Sequence, residues 1–513
     1  MRKTSAGRGP RRASLASLAP LWCGLLLLGM GLGLGGCASG LVPIQRTFRA
    51  GNHTAAAAQI ERYAERHARG TPQTVIAFIE MGSMLRAVGN YEGSDFAFAA
   101  AEARIAELDA RPERSASEEL ESLLRTPDRI TYQGFDYDRQ FVAVYRALNA
   151  MAMGDFEAPR QHFLRADRWQ TFAIERNARR IQRAEDQQAA ARERVPTFDQ
   201  SMQDPRLQQA SQERFGDLSR FEAYEGFANP YADMLRAVYL MGVAESGGDF
   251  DVARNLLRRV AGLSPGNAYV MQDLDLADRL AAGTVQRPNL TYVFFETGLA
   301  PHREQVQISV PVFLVSNRVQ IVPVAVPYLA FSPEFVPTLR VRTPLTVHDT
   351  SLLADVDRIV AAEFNERLPG YITRMIVAAA VKVGVQFTAN EAARNQNEWV
   401  RLGVMLTGAI WSAATNEADL RTWATLPKQI QYARVETPGT GSLTLQFPAR
   451  SVSVPVDPSG INLVLVRSVH PRSEPIVSSF ALGRAGRTVA GTLAEGVGGG
   501  IEQVAAAAPV GQE

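Results

Sequence analysis

The stretch Thr291-Tyr292-Val293-Phe294-Phe295 decides the fold class, because the chain changes there from helical to strand-like patterning. β-Branched and aromatic residues favour strands, and similar runs predict further strands at residues 306–315, 319–326, 338–341, 429–435, 442–447, 451–456 and 462–466. Helical spacing predicts an insert over residues 351–368, 371–385 and 399–411. Residues 288–480 are therefore predicted to form an α+β domain with β-sandwich-like sheets and a helical layer.

Upstream, residues 44–283 have the apolar spacing of helices, interrupted by four turns that contain glycine, then Asn or Asp, and usually an aromatic residue. The turns are Gly51-Asn52-His53, Gly89-Asn90-Tyr91, Gly154-Asp155-Phe156 and Gly248-Asp249-Phe250. Glycine can end one helix in a left-handed conformation, the polar residue can cap the next helix, and the aromatic residue can pack under the turn.

This arrangement resembles the tetratricopeptide (TPR) helix-turn-helix, although the turns lie 38 to 94 residues apart. We expect a TPR-like α-helical solenoid, and an ordinary helical bundle with the same turn chemistry is the alternative. A solenoid would leave a concave groove suited to a protein segment.

Two insertions interrupt this helical half. Residues 111–135, with prolines and a glycine, predict a short helix and loops. Residues 172–194 are almost wholly polar and rich in helix formers. We predict a solvated helix with ion pairs between residues four positions apart, and a coiled-coil arm for a partner is the alternative.

The amino terminus has the organisation of a signal peptide. Five basic residues precede Ala13 without an acidic residue, and an apolar core at residues 21–28 leads to Leu34-Gly35-Gly36-Cys37. A permanent membrane helix and a twin-arginine signal are weaker interpretations, because glycine dilutes the apolar run and the residues after Arg11-Arg12 lack the usual pattern.

The segment resembles a bacterial lipoprotein signal. The resemblance implies cleavage after residue 36, acylation of Cys37 and a lipidated tether over residues 37–43. Each buried CH2 group of an acyl chain adds about 0.8 kcal/mol of membrane affinity. Because Ala38 is not an aspartate, the resemblance also implies the periplasmic face of the outer membrane.

Composition limits the other possibilities. Without the signal the chain is slightly acidic, so it has no bulk attraction for nucleic acid. The two cysteines are Cys23, in the signal, and Cys37, so an acylated mature chain would contain no thiol for a disulfide, nucleophile or metal site. We predict no cofactor.

The sequence contains no local catalytic or metal-binding motif. Its six histidines are scattered, and there is no HExxH, GxSxG or Walker pattern. In His348-Asp349-Thr350-Ser351 we interpret Asp349 and Ser351 as helix caps. Glu363 and Glu366 are expected to be exposed on a helix. A site assembled from distant residues stays open.

Two stretches carry a second resemblance: Glu296-Thr297-Gly298-Leu299-Ala300-Pro301, and residues 418–427 with Asp419, Arg421, Trp423 and Pro427. Together with the lipobox and the helical half they resemble a poorly characterised family of proteobacterial outer-membrane lipoproteins. The resemblance implies a role in cell-envelope maintenance, sometimes alongside activators of peptidoglycan synthases. From the residues themselves, a structural role in turns and packing is the main interpretation, and a binding site is the alternative.

The Gly- and Ala-rich residues 481–513 predict a disordered tail. Two hypotheses for function follow. The first is a membrane-tethered scaffold that binds an envelope protein. The second is an envelope enzyme that acts on glycan or peptidoglycan through carboxylates of the C-terminal domain.

Overall fold

The computed structural model describes residues 40–68, 70–112, 129–221, 223–313, 319–394, 417–482 and 487–490. The predicted signal with Leu34, Gly35 and Gly36, the acylation site Cys37, the helix at residues 399–411 and the tail from residue 491 lie outside these ranges.

Helices fill most of the first half of the described chain, and one long helix lies among the strands. In chain order they are α1 (Leu41–Arg49), α2 (His53–His67), α3 (Thr74–Ala87), α4 (Tyr91–Asp109), α5 (Asp136–Ala152), α6 (Ala158–Arg194), α7 (Phe198–Gln203), α8 (Pro205–Phe215), α9 (Pro230–Val243), α10 (Gly247–Leu263), α11 (Ala268–Ala281) and α12 (Val356–Arg394). Short 3-10 turns lie between α8 and α9. None of the described helices combines the length and apolar character needed to cross a bilayer.

Three of the four predicted turns have the expected geometry. Gly51, Gly89 and Gly154 adopt φ values of +84°, +78° and +82°. The side chains of Asn52 and Asn90 then cap α2 and α4 by accepting backbone N–H hydrogen bonds. Each glycine therefore supplies the left-handed residue that lets the next helix fold back.

The fourth predicted turn is wrong. Gly248 lies inside the first turn of α10, and α9 already ends at Val243. Asp249 is also helical, and its carboxylate forms an ion pair with Arg160 at 2.7 Å. Ala244, which ends α9, and the extended Ser246 before α10 both have negative φ, so neither end of this connection uses a left-handed glycine.

Twelve strands form three sheets in the described chain. They are β1 (Leu290–Thr297), β2 (His302–Phe313), β3 (Val319–Ala330), β4 (Arg340–Arg342), β5 (Val347–Asp349), β6 (Ser351–Asp355), β7 (Gln429–Glu436), β8 (Ser442–Gln446), β9 (Ser451–Pro455), β10 (Ile461–Ser468), β11 (Ile476–Leu482) and β12 (Arg487–Ala490). The largest sheet has the order β12-β11-β10-β1-β7-β6. Its centre is a parallel pair, β1 with β10, and its other pairs are antiparallel.

The two faces of the six-stranded sheet cover different partners. Side chains such as Val293 and Val464 pack against Val341 and Leu445 of the four-stranded sheet β5-β4-β8-β9. Alternate residues such as Phe294 face the helices. Because successive side chains on a strand point to opposite faces, one sheet serves both layers. The long hairpin of β2 and β3 packs against α12.

The helical and sheet halves share one hydrophobic core, so they are not packed as separate domains. Nearly every residue of α3, α5 and α9 is buried. At Gly242 of α9 an added Cβ would lie 2.5 Å from Cβ of Leu482 in β11, so the glycine permits this close approach. The inner helical face, expected to form an open groove, is covered by the sheet. The α+β class is confirmed.

Several boundaries differ from the prediction. Residues 351–355 form β6, not helix, so Ser351 and Asp349 do not cap α12. The cap is Asp355, whose Oδ1 accepts a hydrogen bond from the backbone N–H of Arg358. The helix then continues through Pro369, where a break was expected.

Both ends of the described chain also differ from their expected boundaries. At the amino end, α1 starts at Leu41, which shortens the expected 37–43 tether. At the other end, β11 extends to Leu482 and residues 487–490 pair with it, so the expected tail from residue 481 begins with a strand pair.

The charged insertion at residues 172–194 is the C-terminal part of α6, and its shortest ion pairs are with residues of other helices. Arg176 and Arg180 each contact Asp136 at 2.6 Å, and Arg180 also contacts Glu366 of α12 at 2.9 Å. Glu363 is buried and accepts hydrogen bonds from the backbone N–H of Asp136 at the start of α5. The expectation that Glu363 and Glu366 are exposed was therefore wrong, whereas more than half of residues 172–194 are exposed, as expected for a solvated helix. Of the insertion at 111–135, residues 113–128 lie outside the description.

Candidate functional site

The two motif stretches lie where the sheet meets the inner helices. Glu296, near the end of β1, accepts a hydrogen bond from Tyr231 Oη at 2.8 Å and one from Tyr145 Oη at 3.4 Å. Arg467, its neighbour on β10, approaches the same carboxylate at 3.9 Å. Burial raises the pKa values of Tyr145 and Tyr231 well above the ordinary tyrosine value, and the adjacent carboxylate adds to this. Both hydroxyls therefore stay neutral donors to Glu296.

The turn after β1 requires its glycine. Gly298 has a φ of +68°, and an added Cβ would lie 2.7 Å from Cβ of Phe335. Its carbonyl accepts a hydrogen bond from Arg467 Nη1 at 2.7 Å. Pro301, just beyond, is buried at the start of the path into β2. These residues hold the turn against β10.

The second motif is a buried loop that fastens the sheet half to α3. Arg421 donates to the carbonyls of Pro72 at 3.2 Å and Ile130 at 2.7 Å, and it forms an ion pair with Asp419 at 2.7 Å. Trp423 is 1% exposed and donates from Nε1 to Ser83 Oγ at 2.8 Å. Pro427 is also buried, directly before β7. The loop thus supplies polar and aromatic contacts between the halves.

Glu80 on α3 is the polar centre of that contact. It is fully buried and accepts hydrogen bonds from Gln45 Nε2 at 2.8 Å, the Ala424 N–H at 2.7 Å and Thr425 Oγ1 at 2.7 Å. Desolvation by burial raises the pKa of Glu80 to about 7, although these hydrogen bonds oppose the shift.

A small pocket opens beside Glu296, between the inner helices and the ends of β10 and β11. Its volume is about 50 Å³. Polar side chains from both halves of the protein line it together with apolar ones. They are Phe48, Ser83, Arg86, Ala87, Tyr91, Tyr145, Glu296, Thr425, Leu465, Val466, Arg467, Ile476 and Ser478.

The charges that line this pocket, called here the Arg86 pocket, are two guanidinium groups and one carboxylate. Arg86 lies 5.4 Å from the ring centroid of Tyr91 and 5.6 Å from that of Tyr145, and its Nη1 donates to Asn149 Oδ1 at 2.6 Å. Tyr91 Oη on α4 and Ser478 Oγ on β11 lie 2.7 Å apart, across the contact between the helical and sheet halves. The arrangement suits a small polar ligand with negative charge.

Of the expected turn residues, Tyr91 lines the Arg86 pocket, and Gly89 lies two residues before it. The turn at Gly154 lies elsewhere, with the carbonyl of Phe156 accepting a hydrogen bond from Tyr239 Oη at 2.6 Å. Gly154 and the half-buried Phe250 are also remote from the pocket. A second cavity of about 80 Å³ lies between α6, α9 and α10. Within the described ranges no three His, Cys, Asp or Glu side chains form a metal-ion cluster.

Comparison of the chain with protein-family models, with curated proteins and with solved structures found no match.

Sequence reasoning identified Glu296 but missed most of its partners. Tyr145, Tyr231 and Arg467 come from α5, α9 and β10, and they meet only through the tertiary fold. One signal was available for Glu80: it is the only charged residue in the apolar run from Thr74 to Leu85. A lone carboxylate on an otherwise apolar helix indicates a buried polar contact.

Proposed function

We propose that the protein is an outer-membrane lipoprotein whose folded body acts as a protein-interaction scaffold at the periplasmic face. The observation that carries the proposal is the short sequence separation between Cys37 and the first helix of the folded body. α1 begins at Leu41, and Leu41, Ile44 and Phe48 are all buried in the shared core. Four residue steps span at most about 14 Å. Acyl chains on Cys37 would therefore hold the body next to the bilayer with restricted orientation.

The helical half supports a TPR-like interpretation at the level of its units. Consecutive helices from α1 to α6 pack on one another, and three of their turns use a left-handed glycine. Because the sheet covers the inner face, we place the partner surface on the outer helices. Phe96 of α4 and Ile181 of α6 are 65% and 56% exposed there. These two positions are the candidate contact points of the proposed partner surface.

The partner class follows from the location and charge. A slightly acidic chain is a poor ligand for nucleic acid, so we propose an envelope protein as partner, with the membrane bound only through Cys37. The family resemblance suggests a link to peptidoglycan synthesis. A glycan-cleaving enzyme would need two carboxylates about 5 to 9.5 Å apart. Glu296 is the only carboxylate among the described residues that line the Arg86 pocket. Its oxygens already accept hydrogen bonds from two tyrosine hydroxyls.

The anchor is tested by membrane fractionation of Cys37→Ser in the native host, with Cys23→Ser as the matched control. We expect the first variant to leave the outer-membrane fraction and the second to remain there, because only Cys37 would be acylated. Mass spectrometry of the wild-type amino terminus should show acyl chains on residue 37. An outer-membrane Cys37→Ser protein would refute the anchor.

The scaffold role is tested by photo-crosslinking in cells from positions 96 and 181, with position 65 on α2 as an exposed control. We expect one discrete envelope-protein adduct from the first two positions, and its loss in the Cys37→Ser background. Adducts of equal pattern from all three positions would contradict a specific surface.

A further inference from the structure

Lysine is rare in this chain, and one of its lysines lies against a buried aspartate. The 54 basic residues include only three lysines, Lys3, Lys382 and Lys428, and the others are arginines. Nζ of Lys428 contacts Oδ2 of Asp357 at the start of α12, and the two side chains are 13% and 7% exposed. Arginine is the usual choice for a buried ion pair, whereas lysine has a primary amine that can act as a nucleophile.

Backbone hydrogen bonds hold Lys428 and Asp357 together. The carbonyl of Lys428 accepts hydrogen bonds from the N–H groups of Val356 at 3.0 Å and Asp357 at 3.3 Å. The N–H of Lys428 donates to the carbonyl of Thr297 at 3.0 Å. The ring of Phe335 packs beside the amine, with Nζ 5.6 Å from the ring centroid. The contact is therefore fixed by the two backbones as well as by the side chains.

We propose that Lys428 and Asp357 become joined by an isopeptide bond. Nζ of Lys428 forms a bond to Cγ of Asp357, and one C–O bond of the carboxyl group breaks. One ammonium hydrogen stays on the amide nitrogen, and the other two leave with the carboxyl oxygen as water. Atoms and charge balance without an oxidant or any other co-reactant. The proposal is independent of the lipid anchor and of the scaffold role, because both residues lie in the folded body.

The surroundings of Asp357 favour the neutral groups that this reaction needs. The attack requires a free amine and a protonated carboxyl group. Desolvation by burial raises the pKa of Asp357 to about 7, although the hydrogen bond from Lys428 opposes the shift. The negative charge of Asp355 raises this pKa further. A proton therefore passes from the ammonium to the carboxylate more easily here than in water.

Asp355 is the candidate proton carrier for this step. Its Oδ1 accepts a hydrogen bond from the backbone N–H of Arg358 at 3.2 Å, which holds the carboxyl group at the start of α12. Burial raises the pKa of Asp355, and the positive charge of Lys428 opposes that shift. Asp355 thus interacts electrostatically with both reacting groups. A carboxyl group in this position can take a proton from the amine and deliver it to the leaving oxygen.

Proximity offsets the cost of forming an amide in water. Well-oriented intramolecular reactions reach effective concentrations of about 10⁵–10⁸ M. The product joins residues that are 71 positions apart in the sequence. A cross-link that closes a long loop stabilises the folded state by restricting the unfolded chain. The isopeptide bond therefore braces the first turn of α12 against the start of β7.

The test is mass spectrometry of a tryptic digest of the denatured, full-length mature protein. Trypsin does not cleave after a lysine whose amine is part of an amide. The bond therefore predicts one branched peptide in which residues 343–358 are joined to residues 422–434. Its mass should equal the sum of the two uncleaved peptides minus one water. Fragmentation should place the link at positions 357 and 428.

Variants identify the reacting groups. Lys428→Arg retains the positive charge and Asp357→Ala removes the carboxyl group, and both should yield linear peptides only. Asp349→Ala, at an exposed aspartate of the same tryptic peptide, should keep the branched product. Asp355→Asn should lower the yield of branched peptide about tenfold or more in protein harvested soon after synthesis.

The wild-type digest decides the proposal even if a variant folds poorly. Linear peptides alone in the wild type, or a branched peptide linked at other positions, would overturn the isopeptide bond. A branched peptide of unchanged yield in folded Asp357→Ala would overturn it as well. An unchanged yield in folded Asp355→Asn would overturn the assignment of Asp355 as the proton carrier.

Discussion

Substitution of Glu80 by glutamine should remove part of the pH dependence of folding. The carboxyl is buried between α3 and the loop that contains Ala424 and Thr425, and desolvation raises its pKa from an ordinary 4.5 to about 7. Glutamine preserves the shape and one acceptor oxygen, and it cannot ionise in this range. The substitution therefore isolates the ionisation of one buried group.

The sign of the effect follows from proton binding. Between about pH 4.5 and 7 the unfolded chain has released the proton of Glu80 while the folded protein keeps it, so rising pH favours unfolding. The contribution of Glu80 is fully present below pH 4.5 and is lost as the pH rises through about 7. A pKa difference of about 2.5 corresponds to about 3 kcal/mol across this window.

The assay is guanidinium denaturation of wild type and Glu80→Gln between pH 4.5 and 7.5, followed by tryptophan fluorescence. The difference between their free energies of unfolding should change by about 3 kcal/mol in favour of the variant as the pH rises. Glu65→Gln, at an exposed position on α2, should follow the wild-type curve. Parallel curves for wild type and Glu80→Gln would refute the reasoning.

Three other substitutions probe the turn after β1, the buried loop before β7 and the ion pairs of α6. Gly298→Ala should destabilise by about 2 kcal/mol or more in thermal unfolding, because φ is +68° and the new Cβ would meet Phe335, whereas Gly262→Ala in α10 meets nothing within 4 Å and should be neutral or stabilising. Trp423→Ala should lower the free energy of unfolding by about 3–5 kcal/mol in denaturant unfolding, because a fully buried ring is lost. A loss below about 1 kcal/mol would argue against a role for this loop in holding the two halves together. Asp136→Ala should cost about 2–4 kcal/mol in denaturant unfolding, because it removes the buried carboxylate that Arg176 and Arg180 share, although Arg180 keeps Glu366 and Arg176 keeps Asp109. This cost should persist in 1 M salt, because Asp136 is buried.

The sequence predicted the elements whose signals are local. Gly51, Gly89 and Gly154 were identified as turns because a left-handed glycine and a following polar cap act within four residues. The strand runs at residues 291–295 and 462–466 were equally clear from their β-branched and aromatic content. The α+β class follows from these two patterns together.

Errors arose where tertiary contacts overrode local preference. Residues 351–355 have apolar spacing that predicts an earlier start of α12. They pair with β7 instead, and this pairing supplies hydrogen-bond partners for their backbone groups. The charged residues of α6 predicted ion pairs within the helix, whereas Asp136 and Glu366, distant in sequence, supply the partners of Arg176 and Arg180. The Arg86 pocket could not be predicted, because its lining comes from both halves of a chain whose shared core has no sequence signature.

The parallel pairing of β1 with β10 has a consequence for how the chain matures. More than 160 residues separate these neighbours, so the sheet cannot close until β10 has been synthesised. The inner helices need that sheet as cover, and an emerging amino-terminal portion must leave their apolar surfaces uncovered. Loss of β10 and β11 by early termination should therefore leave these surfaces uncovered and yield an aggregating product.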